Sequence, residues 1–250
     1  MNGLRCRFVT LVFAVALSTG PPAGAQRGAV TLSVDDGARA TPIARLVEGR
    51  WVSAGSCVPN NARAPLAGRE RVMVTGDMPV QSVRAVGPGT EEWVRLAPTI
   101  LGLFDRRERE QRLTPDRTAG APRVVDWIYA ADEAEGRMYY FEASRRIASN
   151  VDADADTDPP GTLRIAVAGF LRQGRAGPAS LGTKSELRWE QDGLLAGPSR
   201  PDLTPLGVLI QSDRSVWVMR GQSGASTWFS LYELSATSTR TVLTVRPARC

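Results

Sequence analysis

Short runs rich in Val, Ile, Leu, Trp, Tyr and Phe recur along almost the whole chain, separated by clusters of Gly, Pro, Asp and Ser. That punctuation constrains the fold more than any other feature. β-Branched and aromatic side chains suit a pleated, half-buried surface, and the intervening residues supply turn geometry. The pattern predicts strands over 30–34, 43–47, 50–54, 71–75, 82–86, 92–96, 124–130, 137–147, 162–172, 186–191, 206–211, 215–220, 227–234 and 241–246. Several neighbours are close enough to form hairpins, with turns at 48–49, 211–214 and 222–225. Residues 152–161, 173–180 and 197–205 read as flexible connections.

One segment departs from the pattern. Residues 98–112 open with Pro98 and place Asp105 four residues before Arg109 and Glu108 four before Arg112, the favourable orientation for helical ion pairs. Its apolar residues lie in the first half, so the predicted helix docks by one end and projects a solvated, charged end.

The N-terminus carries an address. Arg5 and Arg7 precede the apolar run Phe8 to Leu17, and the small-residue stretch that follows ends in Ala23-Gly24-Ala25. This is the layout of a cleaved signal peptide over residues 1–25. The run is about half the ~20 residues that a membrane span needs. Cys6 lies upstream of the run, which excludes a lipid anchor at the cleavage point. Residues 26–250 then form a single β-rich exported domain, periplasmic or secreted, with no membrane span; the place where it would divide is a seam near 114–122. The expected fold is mainly β: a single β-sandwich or barrel-like domain of antiparallel hairpins with one short helix.

Composition narrows the partners. The formal charge of +5 falls to +3 without Arg5 and Arg7, and arginines alternate with carboxylates instead of forming a stripe. That argues against nucleic acid. Residues 126–158 are the exception, with nine carboxylates against three arginines, a net −6. After cleavage two cysteines remain, Cys57 and Cys250, and in an exported chain two thiols favour a disulfide tying the last residue to the N-terminal third.

The chain has no histidine. That removes Ser-His-Asp and Cys-His nucleophile systems and histidine-ligated zinc in their usual forms. With the cysteines paired no thiol nucleophile remains, and Lys184 lacks an S-x-x-K partner. The Gly-rich stretches at 87–89 and 174–177 are turns without phosphate-binding spacing. Carboxylate chemistry survives: Asp132, Glu133 and Glu135 share one turn and Glu142 follows on the next strand, although neighbours on a hairpin tip point into solvent. Asp152, Asp154, Asp156 and Asp158 alternate in a Pro-terminated loop and could converge on calcium, although the glycine and final glutamate of a calcium loop are missing. Late in the chain, Val216 and Val218 face opposite to Trp217 and Met219, and Phe229 and Leu231 face opposite to Trp228, Tyr232 and Leu234. Strands apolar on both faces pack between layers. The alternative is an open face on which Trp217, Trp228 and Tyr232 bind carbohydrate or peptide.

The expected role is therefore a non-catalytic binding or structural module of the cell envelope or exterior, with carbohydrate or another envelope protein as partner and no required cofactor. A carboxylate-based hydrolase acting on polysaccharide is the alternative, and a calcium-stabilised module the third.

Overall fold

The computed structural model describes residues 30–55, 57–58, 70–111, 122–133, 136–148, 161–174, 177–191, 202–211, 214–223 and 226–249. The leader, all of the 114–122 seam but its last residue, Glu135, the four alternating aspartates Asp152, Asp154, Asp156 and Asp158, and Cys250 lie outside the described residues.

The strands form three sheets whose hydrogen-bonded ladders are all antiparallel. The N-terminal sheet has the order β3 (Arg50–Ser53), β2 (Ala40–Val47), β1 (Val30–Asp35), β5 (Arg71–Val74). The long-strand sheet runs β11 (Gly177–Gln191), β10 (Gly161–Gly174), β9 (Gly136–Ala148), β8 (Arg123–Glu133), β7 (Arg84–Ala85). The C-terminal sheet runs β15 (Thr239–Val245), β14 (Ser226–Leu234), β13 (Ser215–Ser223), β12 (Leu203–Ile210), β6 (Val80–Gln81). A separate parallel pair joins β4 (Cys57–Val58) to β16 (Ala248–Arg249).

Burial orders these sheets into layers. Helix α1 (Glu91–Glu110) lays Leu96, Ile100, Leu103 and Phe104 on Ile128, Tyr139, Phe141, Ile165 and Leu171 of the long-strand sheet. The opposite face of that sheet meets the C-terminal sheet through Met138, Tyr140, Phe170, Val208, Trp217, Met219 and Leu234. The other face of the C-terminal sheet, with Leu209, Val216, Val218, Phe229 and Leu231, meets Leu32, Val34, Ile43, Ala44 and Trp51 of the N-terminal sheet. The alternation read from β13 and β14 thus sends each set of side chains to a different neighbouring layer. Two of the three sheets are covered on both faces, which is why their strands are apolar at odd and even positions alike.

The mainly β, antiparallel reading holds, in the form of three stacked sheets with no closed barrel among the described residues. The strand expected at 92–96 belongs to α1. Trp93, Leu96, Ala97, Ile100, Leu103 and Phe104 recur at helical spacing. Thr90 caps the helix, its hydroxyl accepting from the Trp93 N–H at 3.2 Å, with Glu91 and Glu92 in the first turn. That cap starts the helix seven residues earlier than expected and leaves Pro98 in its interior. The strand expected at 82–86 is reduced to Arg84–Ala85, which joins the long-strand sheet, and a separate short strand just before it, Val80–Gln81, joins the C-terminal sheet. The connection expected at 173–180 is mostly strand, because Gly174 pairs with Gly177 and the ladder then continues along β10.

The strands flanking each of the three expected hairpin turns pair with one another, through Val47 and Arg50, Ile210 and Ser215, and Ser223 and Ser226. At the first, Glu48 and Gly49 have φ of 49° and 77°, the two left-handed residues that match the twist of paired strands. Gly221 serves a different need. The indole of its ladder partner Trp228 lies across it, and a Cβ there would be 2.1 Å from the ring.

Candidate functional site

The sequence scatters its carboxylates, and the fold isolates one of them. Glu142 is on β9 among alternating residues that face the C-terminal sheet, and it is 2% exposed. Its Oε1 accepts from the Tyr140 hydroxyl at 2.6 Å and from the Leu203 N–H at 2.9 Å, and its Oε2 accepts from the Asp202 N–H at 2.9 Å. The carboxylate therefore binds the start of β12 to the middle of the long-strand sheet. Burial pushes its pKa up to about 7, with the three donated hydrogen bonds opposing and the nearby Asp202 charge adding to the rise.

Charged and aromatic groups surround this carboxylate. Arg164 on β10 is buried between Asp126, 3.6 Å away, and Asp202, 3.5 Å away. Asp126 occupies the bulge of β8, where the register shifts between Val125 and Trp127. A bulge re-aims one side chain, and here it turns a carboxylate to the arginine. Tyr129 and Phe170 flank Tyr140 on the adjoining strands, with ring centroids 6.4 and 5.3 Å from it. Phe170 in turn packs edge-on against Trp217 at 5.4 Å. Burial, followed by the charge of Glu142, raises the pKa of Tyr129 to about 12.

A second ionic cluster lies on the far side of the long-strand sheet, under α1. Glu108 is 8% exposed and accepts from Arg145 at 2.9 Å and from Arg123 at 2.9 and 3.1 Å. Arg107 donates to the hydroxyl and carbonyl of Thr183 on β11. The charged end of the helix is thus docked through its charges, and the solvated projection expected from the sequence is limited to Arg106, Arg109 and Glu110. Nearer the helix start, Glu92 accepts from Arg84, Arg137 and Tyr139. Burial works against its ionisation, but these three donors outweigh it and hold its pKa below the usual range. A shallow depression between helix and sheet edge is lined by Leu103, Arg106, Glu110 and Leu181.

The candidate residues taken from the sequence are distributed as follows. Asp132 sits exposed on its hairpin, paired with Arg137 at 2.5 Å. Glu142 is not beside it in solvent but enclosed between two sheets. Trp217 is fully buried. Tyr232 is half-buried, 5.6 Å from Phe170 and 5.5 Å from the ammonium of Lys184. Trp228 is half-buried over Gly221. All three lie on the same face of the C-terminal sheet, where Trp217 and Tyr232 pack against the long-strand sheet. Among the described residues no group of three or more His, Cys, Asp or Glu is placed to hold a metal ion, and no helix is long and apolar enough to cross a membrane. Arg164, Asp126 and Asp202 were missed as a group because 76 residues and three strands separate them in sequence; the paired Ser144-Arg145-Arg146 and Leu163-Arg164 stretches, charged within β-rich runs, were the available signal. No family model, no curated protein and no solved structure matches the chain.

Proposed function

We propose that the chain is an exported β-rich module with a binding or structural role in the cell envelope or outside the cell, and that it performs no catalysis. The observation that carries this reading is the state of Glu142. Its pKa is pushed up to about 7, yet both of its oxygens are occupied by the protein's own donors. A general acid must reach its substrate within hydrogen-bond distance, whereas this group joins two layers of the fold. Export is supported by the leader at residues 1–25. A disulfide between Cys57 and Cys250 is supported by the pairing of Ala248 with Cys57, which brings the C-terminal strand beside the first cysteine. The test is intact-mass analysis of the protein recovered from cell fractions. The expected result is an extracytoplasmic chain starting at Gln26 that gains two hydrogens on reduction; a full-length cytoplasmic chain overturns the reading.

The polysaccharide hydrolase remains as a second reading because Glu142, its pKa pushed up to about 7, lies beside a second carboxylate, Asp202, and glycoside cleavage uses a pair of carboxyl groups. Assay against a polysaccharide panel separates the two. Turnover by the wild type that is lost in Glu142→Gln and Asp202→Asn favours the hydrolase, and no turnover favours the module. A role for calcium at Asp152, Asp154, Asp156 and Asp158 is tested by chelation, which lowers the melting temperature only if the ion is bound.

A further inference from the structure

The three stacked sheets end in strands of unequal length. Among the described residues β6 and β7 have two residues, β3 and β5 four and β15 seven, whereas β11 has 15. A short edge offers little to another chain, but a long one presents a row of unpaired backbone donors and acceptors. On one side β11 pairs along its length with β10, and on the other no described strand pairs with it. Helix α1 reaches this strand at Thr183, where Arg107 donates to the hydroxyl at 2.7 Å and to the carbonyl at 2.8 Å.

The rest of that edge has a self-complementary sequence. Residues 183–191 read Thr-Lys-Ser-Glu-Leu-Arg-Trp-Glu-Gln. Consider an antiparallel ladder with a second copy, related by a two-fold axis through Leu187. It sets Lys184 opposite Glu190 and Glu186 opposite Arg188, and the symmetry repeats both pairs. Opposite charges directly across a ladder stabilise it, and like charges oppose it. Strand alternation assigns the four charged positions to one face, while Leu187 meets its own copy on the other and Trp189 stands opposite Ser185. Charge also rejects the neighbouring registers. An axis at Glu186 sets that carboxylate against its own copy and Lys184 against Arg188. An axis at Arg188 sets two guanidinium groups together and Glu186 against Glu190. An axis between residues fails because opposed residues in an antiparallel ladder must both turn their backbone groups toward the shared edge, or both away. The edges β3, β5 and β15 each carry one arginine and no carboxylate, so none of them can match itself in this way.

We propose that β11 is a dimerisation edge that pairs antiparallel with β11 of a second copy about a two-fold axis at Leu187, joining the two long-strand sheets into one. The shared ladder runs from Lys184 to Glu190, because Arg107 already occupies the carbonyl of Thr183, the residue opposite Gln191. An isologous interface needs a surface complementary to itself, and the alternating charges supply that. An unrelated strand added to this edge would gain the same backbone bonds, but nothing in it would require the charges of β11 to match one another. The pairing is independent of export and adds an assembly to the module.

The test is sedimentation velocity of the whole chain over a concentration series at low salt. The wild type should pass from monomer to dimer, and added salt should weaken the dimer. Glu186→Arg alone, or Arg188→Glu alone, turns two attractive pairs into repulsive ones and should raise the dimer Kd by at least about tenfold. Mixing these two variants restores both attractions and should recover a dimer with one copy of each. Lys184→Glu mixed with Glu190→Lys repeats the test at the outer pairs. Arg45→Gln with Arg50→Gln, on the outer face of the N-terminal sheet that no described element covers, should leave dimerisation unchanged. An unfolding midpoint near that of the wild type shows that a variant is folded, and if one exchange pair unfolds the other carries the test. A wild type that stays monomeric throughout the series, a dimer that every single exchange leaves as tight as before, or folded single variants that do not associate when mixed overturns the proposal.

Discussion

The helix-covered face of the long-strand sheet and the open face of the N-terminal sheet use the same residue types differently. Under α1, Arg123 and Arg145 converge on the buried Glu108, and Phe104 is fully enclosed. On the open face, Arg45, Arg50 and Arg71 sit beside exposed Val47, Val52 and Met73 with no described element over them. Arginine in a β protein is thus either a device that closes a layer or a group presented to solvent, and burial of a partner carboxylate decides which. The lesson is energetic as well. A buried pair is costly to break because the remaining charge is stranded, while an exposed residue contributes little to stability.

The comparison is broken most directly at Glu108. Glu108→Ala should cost about 3–5 kcal/mol in urea unfolding, since it leaves Arg145 buried without its carboxylate. Replacing both Glu108 and Arg145 with Leu should recover most of that loss; a single substitution costing under about 1 kcal/mol would show that water reaches the pair.

Between the two faces lies Glu142, whose effect depends on pH. Its pKa rises from 4.5 to about 7 on folding, so the folded state holds a proton that the unfolded chain releases. Its contribution to stability is therefore fully present below pH 4.5 and is lost as pH rises through 7. Stability should fall on the order of 2–3 kcal/mol between pH 5 and 8 from this group. The difference between wild type and Glu142→Gln in denaturant midpoints across that range isolates it, and parallel pH profiles would refute the assignment.

A smaller effect is expected at the cap of α1. Thr90→Ala removes the acceptor for the Trp93 N–H and should cost about 1 kcal/mol, read as earlier thermal loss of helical circular dichroism. The smallest belongs to the open face: Met73→Ser should change stability by no more than about 0.5 kcal/mol. A larger loss would mean that the face is covered.

Much of the fold was legible because strands of this kind advertise themselves locally. The two-faced pattern of β13 and β14 marked them as interior before any layer was known, and the Glu48-Gly49 turn was readable from its glycine. The Glu142 site was not. Residues Glu142, Arg164 and Asp202 are ordinary charges in sequence, and only the β8 bulge and the crossing of β12 bring them together. The segment 92–96 reads as strand because Val94 and Leu96 alternate about Arg95; the Thr90 cap and apolar positions at helical spacing out to Phe104 make it helix.

By itself the sequence determined that the chain is built of antiparallel strands, which of them are apolar on both faces, and that histidine chemistry is absent. Those are properties of residue type and spacing, and they survive without knowledge of neighbours. The tertiary structure decided that three of the described sheets stack in layers, that α1 covers one outside while no described element covers the other, and that Glu142 is sealed between layers. Each of those depends on which surfaces meet. Burial, and with it the acidity of a carboxyl or the freedom of an arginine, is a property of the pair in contact and not of either residue.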